Sequence, residues 1–98
     1  MITNTIVAIC TAYIATGHPC ANGKMPSIHH TIALPRWYPL NSRVIIDGKE
    51  YLGEDRTNIK YNGRFDIFVE DKLTAITFGK QLKTVEVISD VDVKHIKQ

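Results

Sequence analysis

Short apolar segments separated by turn residues are the feature that most constrains the fold of this chain. Runs rich in Val, Ile, Thr and Tyr recur roughly every eight to twelve residues, and Gly, Pro, Asn or Asp stands between them. Segments of this composition are typical of strands, and their regular spacing is typical of a sandwich or a barrel. We therefore predict an all-β fold, a small closed barrel of six strands with one short helix.

The strand prediction rests on six runs. They span residues 5–14, 31–34, 42–46, 50–52, 64–69 and 83–88. Asp47-Gly48 separates the third run from the fourth and predicts a tight hairpin, because glycine readily adopts the positive φ that such a turn requires. The stretch 15–30, between the first two runs, contains several Gly, Pro, Asn and Ser residues and is predicted to be a long loop.

A single helix is predicted between the fifth and sixth strands. Asp71 is a suitable N-cap, Leu73 and Ile76 follow at helical spacing, and Gly79 is a suitable stop, which together predict about two turns. Residues 89–98 alternate apolar and charged side chains, so this tail is predicted to be either a further edge strand or frayed.

Composition limits the class of protein and its partners. With 98 residues, the chain is predicted to form one domain over residues 1–98. The formal net charge is +2 and the basic residues do not cluster, so nucleic acid is not an expected partner. No apolar run approaches the roughly 20 residues of a membrane span. The N-terminal segment has no basic leader, so we expect no signal peptide and synthesis in the cytoplasm.

Asp55 and Asp66 are the main candidates for chemistry. Each lies on a short apolar run, with a polar loop between them. Along 64–69, Phe65 and Ile67 alternate with Asp66, which predicts that Asp66 faces away from the apolar layer. The loop also contains Tyr61, whose ring is either a platform for a sugar or a structural side chain.

Several segments, in this order, resemble a known family. They are Thr11-Ala12-Tyr13, Thr31–Leu34, Tyr38–Val44, Glu54-Asp55, Arg64–Phe68 and Ala75–Gly79. The chain resembles the 3D domain, which is named for three aspartates and is shared by bacterial cell-wall-remodelling proteins and the catalytic barrel of membrane-bound lytic transglycosylase A. The resemblance extends from Thr11 to about Ile88, and it implies a double-psi β-barrel.

The resemblance also implies an activity and its residues. Lytic transglycosylases cleave the β-1,4 bond between N-acetylmuramic acid and N-acetylglucosamine without water, and Asp66 matches the catalytic acid of the family. Burial and the like charge of Asp55 are expected to raise the pKa of Asp66, as this role requires. The expected substrate-binding residues are Asn58, Lys60, Tyr61 and Arg64. No cofactor is expected, and the partner is the glycan strand of peptidoglycan. Because no signal peptide is expected, we expect a phage or prophage origin, with release through a holin or as part of a virion.

The chain departs from the family at two places. Leu34-Pro35 stands where the family has its first aspartate, and Arg56-Thr57-Asn58 replaces the usual Thr-Gly-Gly after Asp55. The alternative function is therefore a non-catalytic barrel that binds glycan or serves in phage structure or assembly, and a third is a unit for oligomerisation. If the protein is an enzyme, a hydrolytic route in which Asp55 activates water also stays open.

Other residues offer competing interpretations. An ion pair of either aspartate with Arg56, Lys60 or Arg64 would lower its pKa and prevent acid catalysis. Cys10 and Cys20 form a disulfide only if the protein works outside the cytoplasm, and otherwise we expect one buried thiol and one free thiol. The spacing of the cysteines and histidines near residues 18–30 matches no paired-ligand pattern, so no metal site is predicted. Trp37 and Tyr38 offer further platforms for a sugar, but for Trp37 we favour a core position in which its ring covers one end of the barrel.

Overall fold

The computed structural model of the protein describes residues 1–90, which form a closed barrel of six strands. The strands are β1 (Ile2–Tyr13), β2 (Thr31–Leu34), β3 (Arg43–Ile46), β4 (Lys49–Arg56), β5 (Phe65–Phe68) and β6 (Gln81–Ser89). One α-helix, α1 (Lys72–Phe78), lies between β5 and β6, and a 3-10 turn at Ile59–Tyr61 lies between β4 and β5. The predicted small all-β barrel with one short helix is confirmed.

The order of the strands around the barrel is β1-β5-β2-β4-β3-β6, and β6 closes onto β1. The pairs β1–β5 and β2–β4 are parallel, and the other four pairs are antiparallel. The double-psi arrangement of these strands stays a prediction. β1 begins three residues earlier than predicted, at Ile2, because residues 2–4 pair with residues 87–89 of β6.

The β3–β4 hairpin is confirmed at the predicted turn. Asp47 and Gly48 both have positive φ, at 53° and 75°. Two consecutive residues of this kind form the tight turn whose twist matches that of the flanking strands. The turn sets the register in which Val44 lies opposite Tyr51.

The barrel interior is filled by side chains that alternate along the strands. The fully buried members include Cys10, Ile32, Val44, Phe65 and Val85. The predicted alternation in β5 is confirmed, since Phe65 and Ile67 belong to this core and Asp66 does not. Trp37 is partly buried and packs against this core.

Helix α1 forms where its capping residues predict it, but a different face packs on the barrel. The Asp71 carboxylate accepts a hydrogen bond from the Thr74 amide at 2.8 Å, and Gly79 ends the helix with φ 64°. Leu73 and Ile76 are 74% and 65% exposed. Phe78, at the last turn, packs against the core instead. The predicted helix is therefore confirmed by its caps, and its two apolar residues face outward.

Two further observations concern the chain as a whole. No helix within residues 1–90 has the length and apolar character needed to cross a membrane. The prediction for the tail, residues 89–98, falls almost entirely on residues 91–98, which lie outside the described part; Ser89 is the last residue of β6.

Candidate functional site

Asp55 and Asp66 lie in one row of residues that crosses four neighbouring strands. Thr11 of β1 is in register with Asp66 of β5, and Asp66 is in register with Ala33 of β2. Ala33 is in turn in register with Asp55 of β4. Residues in register share a face of the sheet, and the neighbours of Thr11, Asp66 and Ala33 along their strands belong to the core. The row is therefore on the outer face of the barrel.

A small residue separates the two carboxylates. Ala33 is 3% exposed and lies between Asp55 and Asp66 on the outer face. A β-bulge between Ile32 and Ala33 brings Asp55 into register with Ala33, because without it Glu54 would take that position. The structure thus brings the two predicted catalytic residues together, through a bulge that their spacing in the sequence does not reveal.

The carboxyl group of Asp66 is partly buried and has one hydrogen-bond partner within residues 1–90. The Thr11 hydroxyl donates to Asp66 Oδ1 at 2.9 Å. Burial raises the pKa of Asp66, the hydrogen bond from Thr11 lowers it, and the negative charge of Asp55 raises it; the net direction is upward. A carboxyl group in this setting keeps its proton to a higher pH than an exposed aspartate does.

Asp55 accepts hydrogen bonds through both of its oxygens. Its Oδ1 accepts from the backbone amides of Ala21, at 3.1 Å, and Arg56, at 2.9 Å. Its Oδ2 accepts from the hydroxyl of Tyr13 at 3.3 Å. These donors come from three parts of the chain, the 15–30 loop, β4 itself and β1, so the orientation of Asp55 is fixed from three sides.

Tyr13 is part of the site through both its hydroxyl and its ring. Burial, followed by the negative charge of Asp55, raises the pKa of Tyr13, so its hydroxyl remains a donor to Asp55. The ring packs edge-on against Phe68, with centroids 5.4 Å apart. In the sequence, Tyr13 belongs only to a segment that resembles the 3D domain, and no spacing indicates that it contacts Asp55, which lies 42 residues away.

Glu54 attaches the 15–30 loop to the barrel. Its side chain is almost fully buried, at 3% exposure. Its carboxylate accepts hydrogen bonds from Thr31 Oγ1 at 2.7 Å and Asn22 Nδ2 at 3.2 Å, and His30 Nε2 lies 3.7 Å away. The bulge in the β2–β4 pairing leaves Glu54 without a register partner, and no pattern in the sequence predicts it as part of the site.

The basic residues near the aspartates have other partners. The Arg56 guanidinium donates to the carbonyl oxygens of Pro35 and Tyr38, at 2.9 and 2.6 Å. Arg64 and Lys60 lie over the Tyr61 ring, 4.7 and 5.7 Å from its centroid. Within residues 1–90, no basic side chain forms an ion pair with Asp55 or Asp66. The ion pair that would prevent acid catalysis is therefore absent from the described part of the protein.

The four predicted substrate-binding residues lie together in the connection between β4 and β5. The Asn58 side chain caps the 3-10 turn by accepting from the Lys60 amide at 2.9 Å. Tyr61 is 44% exposed. Asp55 is the second-to-last residue of β4 and Asp66 is the second residue of β5. The connection therefore leaves and re-enters the barrel next to the two aspartates.

Cys20 lies near this site, whereas Cys10 lies inside the barrel: burial, followed by the negative charge of Asp55, raises the pKa of Cys20. Cys10 and Cys20 are both free and both buried, so the disulfide alternative is absent and neither thiol is exposed. Burial raises the pKa of Cys10 to about 11 and also raises that of Cys20. No group of three metal-ligating side chains occurs within the described residues. Two cavities, of about 440 and 180 Å³, are lined by residues other than Asp55 and Asp66.

The sequence matches no protein-family model, and no curated protein is significantly similar to it.

Proposed function

We propose that the protein cleaves peptidoglycan as a lytic transglycosylase-like muramidase, with Asp66 as its general acid and base. The observation that carries the proposal is the environment of Asp66, a partly buried carboxyl group with a raised pKa and no cationic partner within residues 1–90. A general acid needs a pKa close to the working pH. The resemblance to the 3D domain, a double-psi barrel, supplies the class of reaction.

The proposed reaction uses one carboxyl group twice. Protonated Asp66 donates its proton to the glycosidic oxygen as the bond from C1 of N-acetylmuramic acid breaks. The resulting carboxylate then accepts the proton of the C6 hydroxyl of the same sugar, whose oxygen attacks C1 and forms the 1,6-anhydro product. Asp66 is protonated again at the end of the cycle, and no water is consumed.

Asp55 supports this chemistry through its charge. Its orientation is fixed by Ala21, Arg56 and Tyr13. A fixed negative charge near Asp66 favours the protonated acid. The same charge stabilises the positive charge that develops on the sugar ring as the glycosidic bond breaks.

The connection between β4 and β5 supplies the proposed glycan contacts. The side chain of Tyr61, which is 44% exposed, offers a surface for the C–H groups of a pyranose ring. Lys60, Arg64 and Asn58 surround it with groups that can bind sugar hydroxyl and carboxylate oxygens. The proposed partner is a peptidoglycan strand, which the protein reaches from the cytoplasm by holin-type release or as a component of a phage virion.

Digestion of purified sacculi tests the proposal. We expect the wild-type protein to release 1,6-anhydromuropeptides, detected by mass spectrometry, and Asp66→Asn to lose at least about 100-fold of this activity. Asp90→Asn, a change of the same kind at an exposed position, is the matched control and should retain full activity. Release that persists in Asp66→Asn, or products without the anhydro ring, would refute the assignment.

Two observations favour a second function: the hydrogen bonds that Asp55 accepts, and the presence of Pro35 where the family has its first aspartate. Both oxygens of Asp55 are already bonded within the protein. Pro35, at the place of the family's first aspartate, is buried, and its carbonyl accepts from Arg56. These features suit a barrel that binds glycan without cleaving it, or one that serves in phage structure or assembly. Pull-down with sacculi, with binding but no soluble fragments, supports this function, and the mass in size-exclusion chromatography reveals assembly.

A further inference from the structure

Two segments that are distant in the sequence lie against each other beside the aspartate row. They are the turn after β2, at residues 35–39, and the connection between β4 and β5, at residues 57–64. The Arg36 amide donates to Asn62 Oδ1 at 3.1 Å. A Cβ atom added at Gly63 would lie 3.6 Å from Trp37 Cη2, so the two segments meet at a second point as well. The fold therefore places Arg36 next to the basic residues of the connection.

The basic side chains of these two segments have no acidic partner within residues 1–90. No ion pair in this part of the chain includes Arg36, Lys60 or Arg64. Lys60 Nζ and the Arg64 guanidinium lie over the Tyr61 ring, 5.7 and 4.7 Å from its centroid. We call Arg36, Lys60 and Arg64 the basic patch. An anion that binds there does not have to displace a carboxylate of residues 1–90.

Arg56 holds the turn that carries Arg36. Its guanidinium donates to the carbonyl oxygens of Pro35 and Tyr38, which lie on either side of Arg36 in the chain. Burial, followed by the positive charge of Arg36, lowers the pKa of Arg56, so the two cations are close enough to repel each other. An anion bound beside them offsets this repulsion.

The basic patch is within reach of a substituent on a sugar bound at Asp66. Arg64 stands two residues before Asp66, which is roughly 7 Å along an extended chain. The N-acetylmuramic acid of the proposed reaction has C1 and C6 at Asp66, and C3 of the same ring carries the peptide stem. An extended stem of four residues spans up to roughly 13 Å, so its carboxylates can reach the patch.

We propose that the basic patch binds a carboxylate of the peptide stem, so that the protein prefers glycan with stem peptides to glycan without them. This inference rests on the proposed function for the identity of the sugar. Guanidinium groups such as those of Arg36 and Arg64 bind a carboxylate through two parallel hydrogen bonds. A nucleic acid suits the patch less well, because its further phosphates would face the carboxylate of Asp55, whereas a stem carboxylate is an isolated charge.

Titration of the wild-type protein with three soluble ligands, followed by amide NMR, tests the proposal. The ligands are the disaccharide of N-acetylglucosamine and N-acetylmuramic acid with a tetrapeptide stem, the same compound with its stem carboxylates converted to amides, and the disaccharide without a stem. Each ends at C1 of N-acetylmuramic acid and so lacks the bond that the proposed reaction cleaves. We expect the carboxylate form to bind about fivefold more tightly than the other two. Equal binding of all three, or binding of none, would overturn the proposal.

Charge removal tests whether the patch causes this preference. Arg36→Gln and Arg64→Gln should each reduce the preference for the carboxylate form over the amide form to about twofold or less. Lys49→Gln, which removes a charge at the other end of β4 from Arg56, is the matched control and should keep the fivefold preference. Because each variant is compared with itself on two ligands, a general loss of affinity does not imitate the result. A preference that survives in both arginine variants would refute the site.

Two further measurements separate the proposal from its rivals. Single-stranded DNA is the competing ligand, because cations around an exposed aromatic ring also bind it; tighter binding of oligo(dT) than of the carboxylate form would overturn the proposal. Digestion of sacculi separates the patch from the chemistry. A preference for the carboxylate form without release of fragments would support the patch and refute the muramidase, and release without the preference would do the reverse.

Discussion

The side chain of Asp66 lies among groups that act on its proton in opposite directions. Burial and the charge of Asp55 favour the protonated form, and the Thr11 hydroxyl favours the ionised form. Burial is the largest of these influences, so the folded protein holds this proton to a higher pH than the unfolded chain does. The same property that suits Asp66 to acid catalysis therefore makes the folded state less stable when Asp66 ionises.

Replacement of Asp66 with an uncharged residue should remove this loss of folding stability. The stabilising contribution of a raised carboxyl pKa is fully present below the pKa of the unfolded chain and is lost as pH rises through the higher pKa of the folded state. We therefore expect Asp66→Asn to have a higher free energy of unfolding than the wild type at neutral pH, with the difference shrinking in acid. Urea denaturation at both pH values measures this, with Asp90→Asn as the control. A variant that is less stable at neutral pH would contradict the argument.

The position of Gly53 in β4 leaves no room for a side chain, because Leu34 and the backbone of Ser42 lie close to it. A Cβ atom added at Gly53 would overlap Leu34 Cδ2 and lie 3.2 Å from the Ser42 carbonyl oxygen. Gly53→Ala should therefore lower the free energy of unfolding by about 1–3 kcal/mol, as overpacked cores do. Leu34→Ala, which removes the nearest contact, should make the combined cost of the two substitutions smaller than their sum. Urea denaturation of all four proteins measures the coupling, and strict additivity would show that the contact is not the cause.

At the scale of elements, the sequence predicts best those structures that depend on neighbouring residues. The Asp47-Gly48 hairpin and the Asp71 cap of α1 are set by φ preferences and by hydrogen bonds within a few residues. The outward position of Leu73 and Ile76 is not predicted, because it depends on where the barrel surface lies relative to the helix. Local chemistry fixes that a helix forms, and tertiary packing fixes which face it buries.

The contacts of the 15–30 loop likewise depend on tertiary packing and not on neighbouring residues. Asn22 and Thr31 both donate to Glu54, and Ala21 donates to Asp55, across separations of 23 to 34 residues. These contacts depend on the bulge that changes the β2–β4 register between Ile32 and Ala33. No alternation of apolar residues encodes such a bulge, which explains why the sequence predicted the two aspartates but not their surroundings.

Removal of one hydroxyl should show how strongly this loop is held. Thr31→Val keeps the shape of the side chain but removes the donor to Glu54 and the acceptor for the Ser27 amide. Because Thr31 and Glu54 are both buried, we expect the free energy of unfolding to fall by about 1–3 kcal/mol. Thr84→Val, at an exposed position of β6, is the matched control and should change stability by no more than about 0.5 kcal/mol. Equal effects of the two substitutions would mean that Glu54 does not anchor the loop.

At the scale of the whole molecule, closure of the barrel governs which side chains reach solvent. Every described strand has two neighbours, so no strand edge is open. Cys10 is fully buried inside the barrel, whereas Cys20 is buried outside it, in the 15–30 loop. Two thiols of similar burial are thus covered by different parts of the structure, and different motions must expose them.

Thiol labelling should distinguish these two motions. Burial raises the pKa of both cysteines, so each remains a poorly reactive thiol at neutral pH until the structure opens. In Cys20→Ala, the remaining Cys10 should react with a disulfide reagent only through global unfolding, and its rate should follow the urea dependence of unfolding. In Cys10→Ala, Cys20 should react at least about tenfold faster in the absence of urea, because opening of the loop alone exposes it. Labelling followed by absorbance measures both rates, and equal rates would show that the loop opens only when the barrel unfolds.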